Sequence, residues 1–111
     1  MNPISHQIQQ KMKLRLICYD ITNDKKRLRV SKLLLKYGGC RMQRSVFSSL
    51  QREEDFHEMR RQIEKIMQKS EEKTDSIYYI PIGQEKFETM HITGFRPDFD
   101  HLLDKKLFIW I

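Results

Sequence analysis

The chain has 111 residues, which suits one compact domain, and its 39% apolar and 32% charged residues provide for a core and disfavour wholesale disorder. Twenty-one Lys and Arg against 15 Asp and Glu leave a net charge of +6, and no apolar run approaches the ~20 residues needed to span a bilayer. Cys18 and Cys40 lack CxxC spacing, and residues 1–13 lack the apolar stretch of a signal peptide, so a membrane protein, a secreted disulfide scaffold and a zinc ribbon are disfavoured and a reducing, cytoplasmic setting is expected.

In chain order, residues 1–13 read as a polar N-terminal extension. Leu14, Leu16, Ile17, Cys18 and Tyr19 make a short apolar run ending at Asp20, the pattern of a buried strand. Thr22-Asn23-Asp24 offers capping side chains, and Val30, Leu33, Leu34 and Tyr37 then recur at helical spacing until Gly38-Gly39 stops the pattern. Arg41 to Leu50 is strand-like, with periodicity leaving open one kinked strand or two short ones. Ser48 and Gln51 have capping-box spacing ahead of a second helix, whose first turn holds Glu53, Glu54 and Asp55 and whose apolar face is Phe56, Met59, Ile63 and Ile66. Residues 70–75 form a charged connection. Ile77 to Ile82 reads as a strand, with Pro81 marking an edge or an end. Phe87 to Thr93 is expected to add another strand, and Leu107, Phe108, Ile109, Trp110 and Ile111 a terminal one. The order strand, helix, strand region, helix, strand predicts an α+β sandwich of the ferredoxin-like kind over residues 14–94, with 95–111 as a C-terminal segment.

Charge is divided unevenly along this order. Residues 1–50 carry a net charge of +9 and residues 51–111 a net charge of −3. A basic half on a small protein points to a polyanionic partner or, more plainly, to a solvated helix face. Lys25, Lys26, Arg27 and Arg29 crowd the start of the first helix, where free N–H groups and the helix dipole favour negative charge. Such a cluster suits phosphates. Asp20 stands at the end of a rigid strand, where a carboxylate either anchors a hard cation such as Mg²⁺ or caps a turn. The four histidines form no metal-ligating spacing, no serine sits in a GxSxG context, and no glycine-rich phosphate loop is present. Tyr19, Phe47, Phe87 and Phe95 are candidates for stacking on bases, though aromatic residues at strand spacing more often fill cores.

Two runs, Ile17-Cys18-Tyr19-Asp20-Ile21 and Gly39-Cys40-Arg41-Met42-Gln43-Arg44-Ser45-Val46-Phe47, bracket the basic helix start Asp24-Lys25-Lys26-Arg27-Leu28-Arg29-Val30. Together they resemble the small CRISPR-associated endoribonuclease family, protein two of the spacer-acquisition pair, across roughly residues 14–82. The resemblance implies a ferredoxin-like βαββαβ protomer and a homodimer in which C-terminal strands cross to the partner. It also implies a phosphodiesterase site using Mg²⁺ or Mn²⁺ shared by two Asp20 residues, acting on single-stranded RNA and in some members duplex DNA. Asp20 matches the family's metal-binding aspartate, while Tyr19, Arg27, Arg29, Arg41, Ser45 and Phe47 match positions tied to activity. Lys25, Lys26, Arg27, Arg29, Arg41 and Arg44 are the expected nucleic-acid contacts, and Arg44 departs from the Tyr of many members. The family also implies a complex with the CRISPR integrase, protein one of the pair, in which the dimer clamps duplex DNA. A scaffold without catalysis, or a toxin-like messenger RNA interferase of related fold, are the alternative readings.

Overall fold

The computed structural model describes residues 12–69 and 73–94. The expected terminal strand at 107–111, Phe95, and the extension before residue 12 lie outside the described residues. Strand β1 (Met12–Asp20) is followed by helix α1 (Asp24–Lys36), strands β2 (Cys40–Gln43) and β3 (Val46–Arg52), helix α2 (Glu53–Met67), strand β4 (Ser76–Pro81) and a short helix α3 (Gln84–Glu88). The sheet order is β2-β3-β1-β4, and every neighbouring pair is antiparallel.

Successive side chains of a strand leave on opposite faces, and β1 uses both. Ile17 and Tyr19 join Phe47 of β3, Val30 and Leu34 of α1, and Phe56, Met59, Ile63 and Ile66 of α2 in the main core. Leu14 belongs to a second cluster on the opposite face, with Met42, Leu50 and Phe87, and Leu16 packs against its edge. Burying one Ile, Leu or Phe side chain contributes about 1.5–3 kcal/mol, so the main core supplies most of the drive to place both long helices on one face. Two antiparallel helices over a four-stranded β2-β3-β1-β4 sheet make the ferredoxin-like fold.

Helix α1 starts where Asn23, in extended conformation, accepts a hydrogen bond on its side chain from the Lys26 N–H at 3.0 Å. It stops at Gly38, whose φ of 84° lies in the left-handed region, and the Gly38 and Gly39 N–H groups close on the Leu35 and Leu34 carbonyls. A Cβ on Gly39 would stand 2.7 Å from the Leu34 carbonyl oxygen, so the helix end and β2 approach as closely as they do because that residue has none.

The region after Gly39, which periodicity leaves open, is two strands joined by a turn at Arg44-Ser45. Three expectations change. Ser48 and Gln51 do not form a capping box, because both lie in β3, where Gln51 opposes Lys13 of β1. The ladder extends through Arg52, so α2 begins at Glu53 with no side-chain cap, its acidic first turn meeting the helix dipole instead. Phe87 to Thr93 forms no strand. Gly83 opens α3, and Phe87, with the partly buried Met90 and Ile92, covers the second core cluster. The apolar sheet face of Leu14, Met42 and Leu50, which Phe87 covers, outweighs the apolar-polar alternation that suggested a strand. By contrast β4 ends at Pro81 and is an edge strand, as that proline indicates. Strand β1 also starts earlier than expected, taking Met12 and Lys13 into the ladder with β3.

Candidate functional site

The C-terminal end of β1, the β2–β3 turn, the start of α1 and the start of β4 meet at one end of the sheet. Tyr19 donates its backbone N–H to the Ser45 carbonyl at 3.0 Å and its hydroxyl to the Arg44 carbonyl at 3.1 Å. Arg41 donates to the same Arg44 carbonyl at 2.7 Å, and its guanidinium lies 4.8 Å from the Phe47 ring centroid. Tyr19 and Phe47 stack with centroids 6.2 Å apart. Five of the residues singled out in the sequence, Tyr19, Arg41, Arg44, Ser45 and Phe47, are therefore one connected unit that fixes the turn.

Tyr19 and Phe47 are buried, which leaves them nothing to offer a passing base. Their effect is to hold Arg41 and Arg44, both exposed, at the sheet's end. Phe87 is likewise core.

Asp20 follows Tyr19 directly, is exposed and opposes Ser76 of β4. By strand alternation it shares the face of Leu14, Leu16 and Cys18, the side away from the two long helices. The loop after it is tied on both sides: Thr22 donates its N–H to the Asp75 carboxylate at 3.0 Å, and Arg27 donates to the Ile21 carbonyl at 3.0 Å and pairs with Asp24. Arg27 is thus partly spent on its own loop, while Lys25 and Arg29 stand exposed and Lys26 is half-buried. Asp75 went unnoticed in the sequence because its hydrogen bond spans 53 residues, a separation no local pattern reveals.

A cation tests this arrangement directly. Among the described residues no three His, Cys, Asp or Glu side chains gather to hold a metal ion. At this end of the sheet Asp75 accepts from Thr22 and Asp24 pairs with Arg27, which among the described residues leaves Asp20 as the carboxylate open to a cation. Mg²⁺ sites use one or two carboxylates with waters and phosphate oxygens, and the exposed Asp20 of one chain meets the lower end of that range.

One end of this ferredoxin-like sheet thus carries an exposed aspartate beside a braced turn with two exposed arginines. The family model described as CRISPR associated protein Cas2 matches residues 12–90, and the chain belongs to that family. It is 34% identical over 86 residues to CRISPR-associated endoribonuclease Cas2 3 of Synechocystis sp., covering 78% of this chain and 89% of that protein. Among solved structures it resembles a hypothetical protein from Thermus thermophilus, with a TM-score of 0.64, 26% identity and coverage of 78% and 95% of the two chains. It also resembles a chain of a partial Cas6-RT-Cas1–Cas2 complex, with a TM-score of 0.62, 32% identity and coverage of 73% and 84%. No helix among the described residues is long and apolar enough to cross a membrane.

Proposed function

We propose that the protein serves CRISPR spacer acquisition as a metal-dependent endonuclease, an endoribonuclease first, and as a DNA-binding member of an integrase complex. The observation that carries this reading is the placement of Asp20: exposed, on the sheet face away from the helices, beside a turn held rigid by Tyr19, Arg41 and Phe47. Family membership and a relative named an endoribonuclease support it.

In this reading two chains pair so that both Asp20 carboxylates hold one Mg²⁺ or Mn²⁺, which when bound makes water a better nucleophile and stabilises charge on phosphoryl oxygens. Arg41 and Arg44, with Lys25, Lys26 and Arg29, grip the phosphodiester backbone without reading bases. Tyr19, Ser45 and Phe47 keep that grip in register. Arg27 ties the loop beside Asp20 to the helix start. Water oxygen would bond to phosphorus as the ester P–O bond breaks, the water giving up one proton and the leaving oxygen taking one.

The dimer rests on the free edge. Strand β4 borders the sheet and exposes Tyr78 and Ile80, apolar surface a second chain can cover. The apolar tail 107–111 of a partner is the proposed strand to extend that edge. A stable monomer at micromolar concentration, unchanged by deleting 107–111, would contradict the pairing.

A scaffold role without cleavage is the second reading, favoured by the resemblance to a chain in the partial Cas6-RT-Cas1–Cas2 complex. One pair of assays separates the two. Asp20→Ala should lose metal-dependent cleavage, measured against EDTA controls, while keeping dimerisation and DNA binding. Integration with a CRISPR integrase should survive the same change. Undiminished cleavage by Asp20→Ala would refute the metal assignment.

A further inference from the structure

The peptide joining Ile21 to Thr22, one step beyond Asp20's own, is gripped at both of its polar ends by side chains. Arg27 of α1 donates to its carbonyl at 3.0 Å, and the Asp75 carboxylate accepts from its N–H at 3.0 Å. A peptide unit is planar, so two bonds pulling in opposite directions fix the orientation of that plane as well as its place. The two grips come from different elements, Arg27 from the first turns of α1 and Asp75 from the residue just before β4.

Asp20 stands where the sheet runs out. Its ladder with β3 ends two residues earlier, at Cys18 opposite Val46, and β4 keeps one last pair, Ser76 opposite Asp20. In this antiparallel register the next residue on the β4 side is Asp75, and its side chain takes the Thr22 N–H. The hold of β4 on the chain is thereby carried two residues past Asp20. On the near side Asp20 follows Tyr19, which is fixed by the β2–β3 turn through its N–H and its hydroxyl. Because the Asp20 side chain is exposed, its direction is set by the main chain beneath it. A carboxylate that holds a cation has to stay within about 0.5 Å of its working place. The clamp on the peptide between Ile21 and Thr22 supplies the far half of that constraint.

We infer that Asp75 is a positioning residue for Asp20, the counterpart of Arg27 across one peptide, and that it works by accepting the Thr22 hydrogen bond rather than by its charge. The inference rests on the proposed function, in which Asp20 holds a divalent cation, and adds to it a residue outside both the cation's ligands and the nucleic-acid contacts.

The test compares Asp75→Asn and Asp75→Ala with the parent in the intact protein, using Mn²⁺ as the probe. Amide hydrogen exchange at Thr22 is read by NMR without metal, Mn²⁺ affinity by the EPR signal of the free ion, and cleavage of single-stranded RNA at limiting and saturating Mn²⁺. Asp75→Asn keeps an acceptor for the Thr22 N–H and should keep both the amide protection and the Mn²⁺ affinity. Asp75→Ala should lose the protection and bind Mn²⁺ about tenfold more weakly, the lower end of what partners behind a metal ligand contribute. Its cleavage should recover as Mn²⁺ is raised. Arg27→Gln combined with Asp75→Ala should weaken Mn²⁺ binding by less than the product of the two single effects, since both residues hold one peptide. Fast exchange of the Thr22 amide in the parent overturns the inference without any variant, so the test stands even where Asp75→Ala fails to fold by circular dichroism. Equal losses in the Asn and Ala variants overturn it, because they make charge the active feature. Unchanged Mn²⁺ affinity in a folded Asp75→Ala, or fully independent effects in the double variant, overturn it while sparing the Asp20 site. Mn²⁺ binding that Asp20→Ala leaves unchanged defeats the proposed function, and this role of Asp75 with it.

Discussion

The carbonyl oxygen of Arg44 takes two donors, the Tyr19 hydroxyl and the Arg41 guanidinium, and so ties the β2–β3 turn to the strand that ends in Asp20. Tyr19→Phe removes one of the two and leaves the ring in place. Its expected cost is about 1 kcal/mol of stability by denaturant titration, with a larger fractional loss of cleavage than of binding. Phe47→Leu retains most of the apolar volume and should loosen Arg41 in the same way; Phe47→Ala would cost about 3–5 kcal/mol and confound the reading. Glu53 works at the opposite end of β1. Partial burial pushes its carboxyl up, but Arg15 at 2.5 Å and Lys13 at 3.3 Å outweigh that and hold it below its ordinary 4.5. Because the folded value is the lower one, this stabilisation is present above the unfolded value and disappears as pH falls through the folded value. Glu53→Gln should cost about 1–3 kcal/mol at neutral pH, since Arg15 is buried beneath Phe56 and loses its charged partner. It should also flatten the acid limb of the stability profile below 4.5. Tyr79 acts at the alkaline end. Burial first, and the charge of Glu64 next, push its hydroxyl up to about 12 from 10.0, with Arg60 opposing. Stability should therefore hold up to pH 10 and decline between 10 and 12, and Tyr79→Phe should remove that part of the decline. Both profiles are read by unfolding at fixed denaturant steps. The motif residues of this site were legible in the sequence because they cluster within short runs. The ion pair of Arg15 and the anchor at Asp75 were not, because their partners stand 38 and 53 residues away.

At the scale of elements, the first helix followed from its local signals alone. Asn23 caps it, Gly38 ends it, and Val30 and Leu34 bury the expected face. Asn23→Ala should cost about 1 kcal/mol, visible as a lowered midpoint in thermal unfolding, and should fray the turn bearing Lys25 and Lys26. The second helix had the right face, yet its start was misplaced. Serine and glutamine three apart cap a helix only when the backbone between them is free to turn, and β1 holds Ser48 and Gln51 in the ladder opposite Leu16 and Lys13. Gln51 instead accepts from Ser49 at 2.7 Å and donates to the Tyr37 carbonyl at 3.3 Å, a bond from β3 to the end of α1. Pairing between strands decides such a case, and the partner strand lies far back in the chain. The segment after β4 shows the same limit. Whether Phe87 starts a strand or plugs a core depends on the bare apolar face of a sheet already formed by Leu14, Met42 and Leu50, which no reading of 84–93 by itself reveals.

The whole molecule is a sheet with two unlike sides. Its helical side carries the main core below and a basic groove above, and its other side carries the smaller core and Asp20. Binding of nucleic acid should be steeply salt-dependent for the intact protein, and Arg41→Glu should flatten the slope of log affinity against log salt. The strict alternation along β1 sets a rule for how this chain can change length. One residue inserted between Leu14 and Asp20 would rotate everything beyond it by half a turn, sending Tyr19 to the open side and Asp20 toward the helices. A reading-frame-preserving insertion there cannot spare the fold and lose only the site, or the reverse; both go together. Length variation among descendants of this sequence is thus confined to the connections, such as 73–75 and the Gly83 turn, while β1 can drift only by substitution.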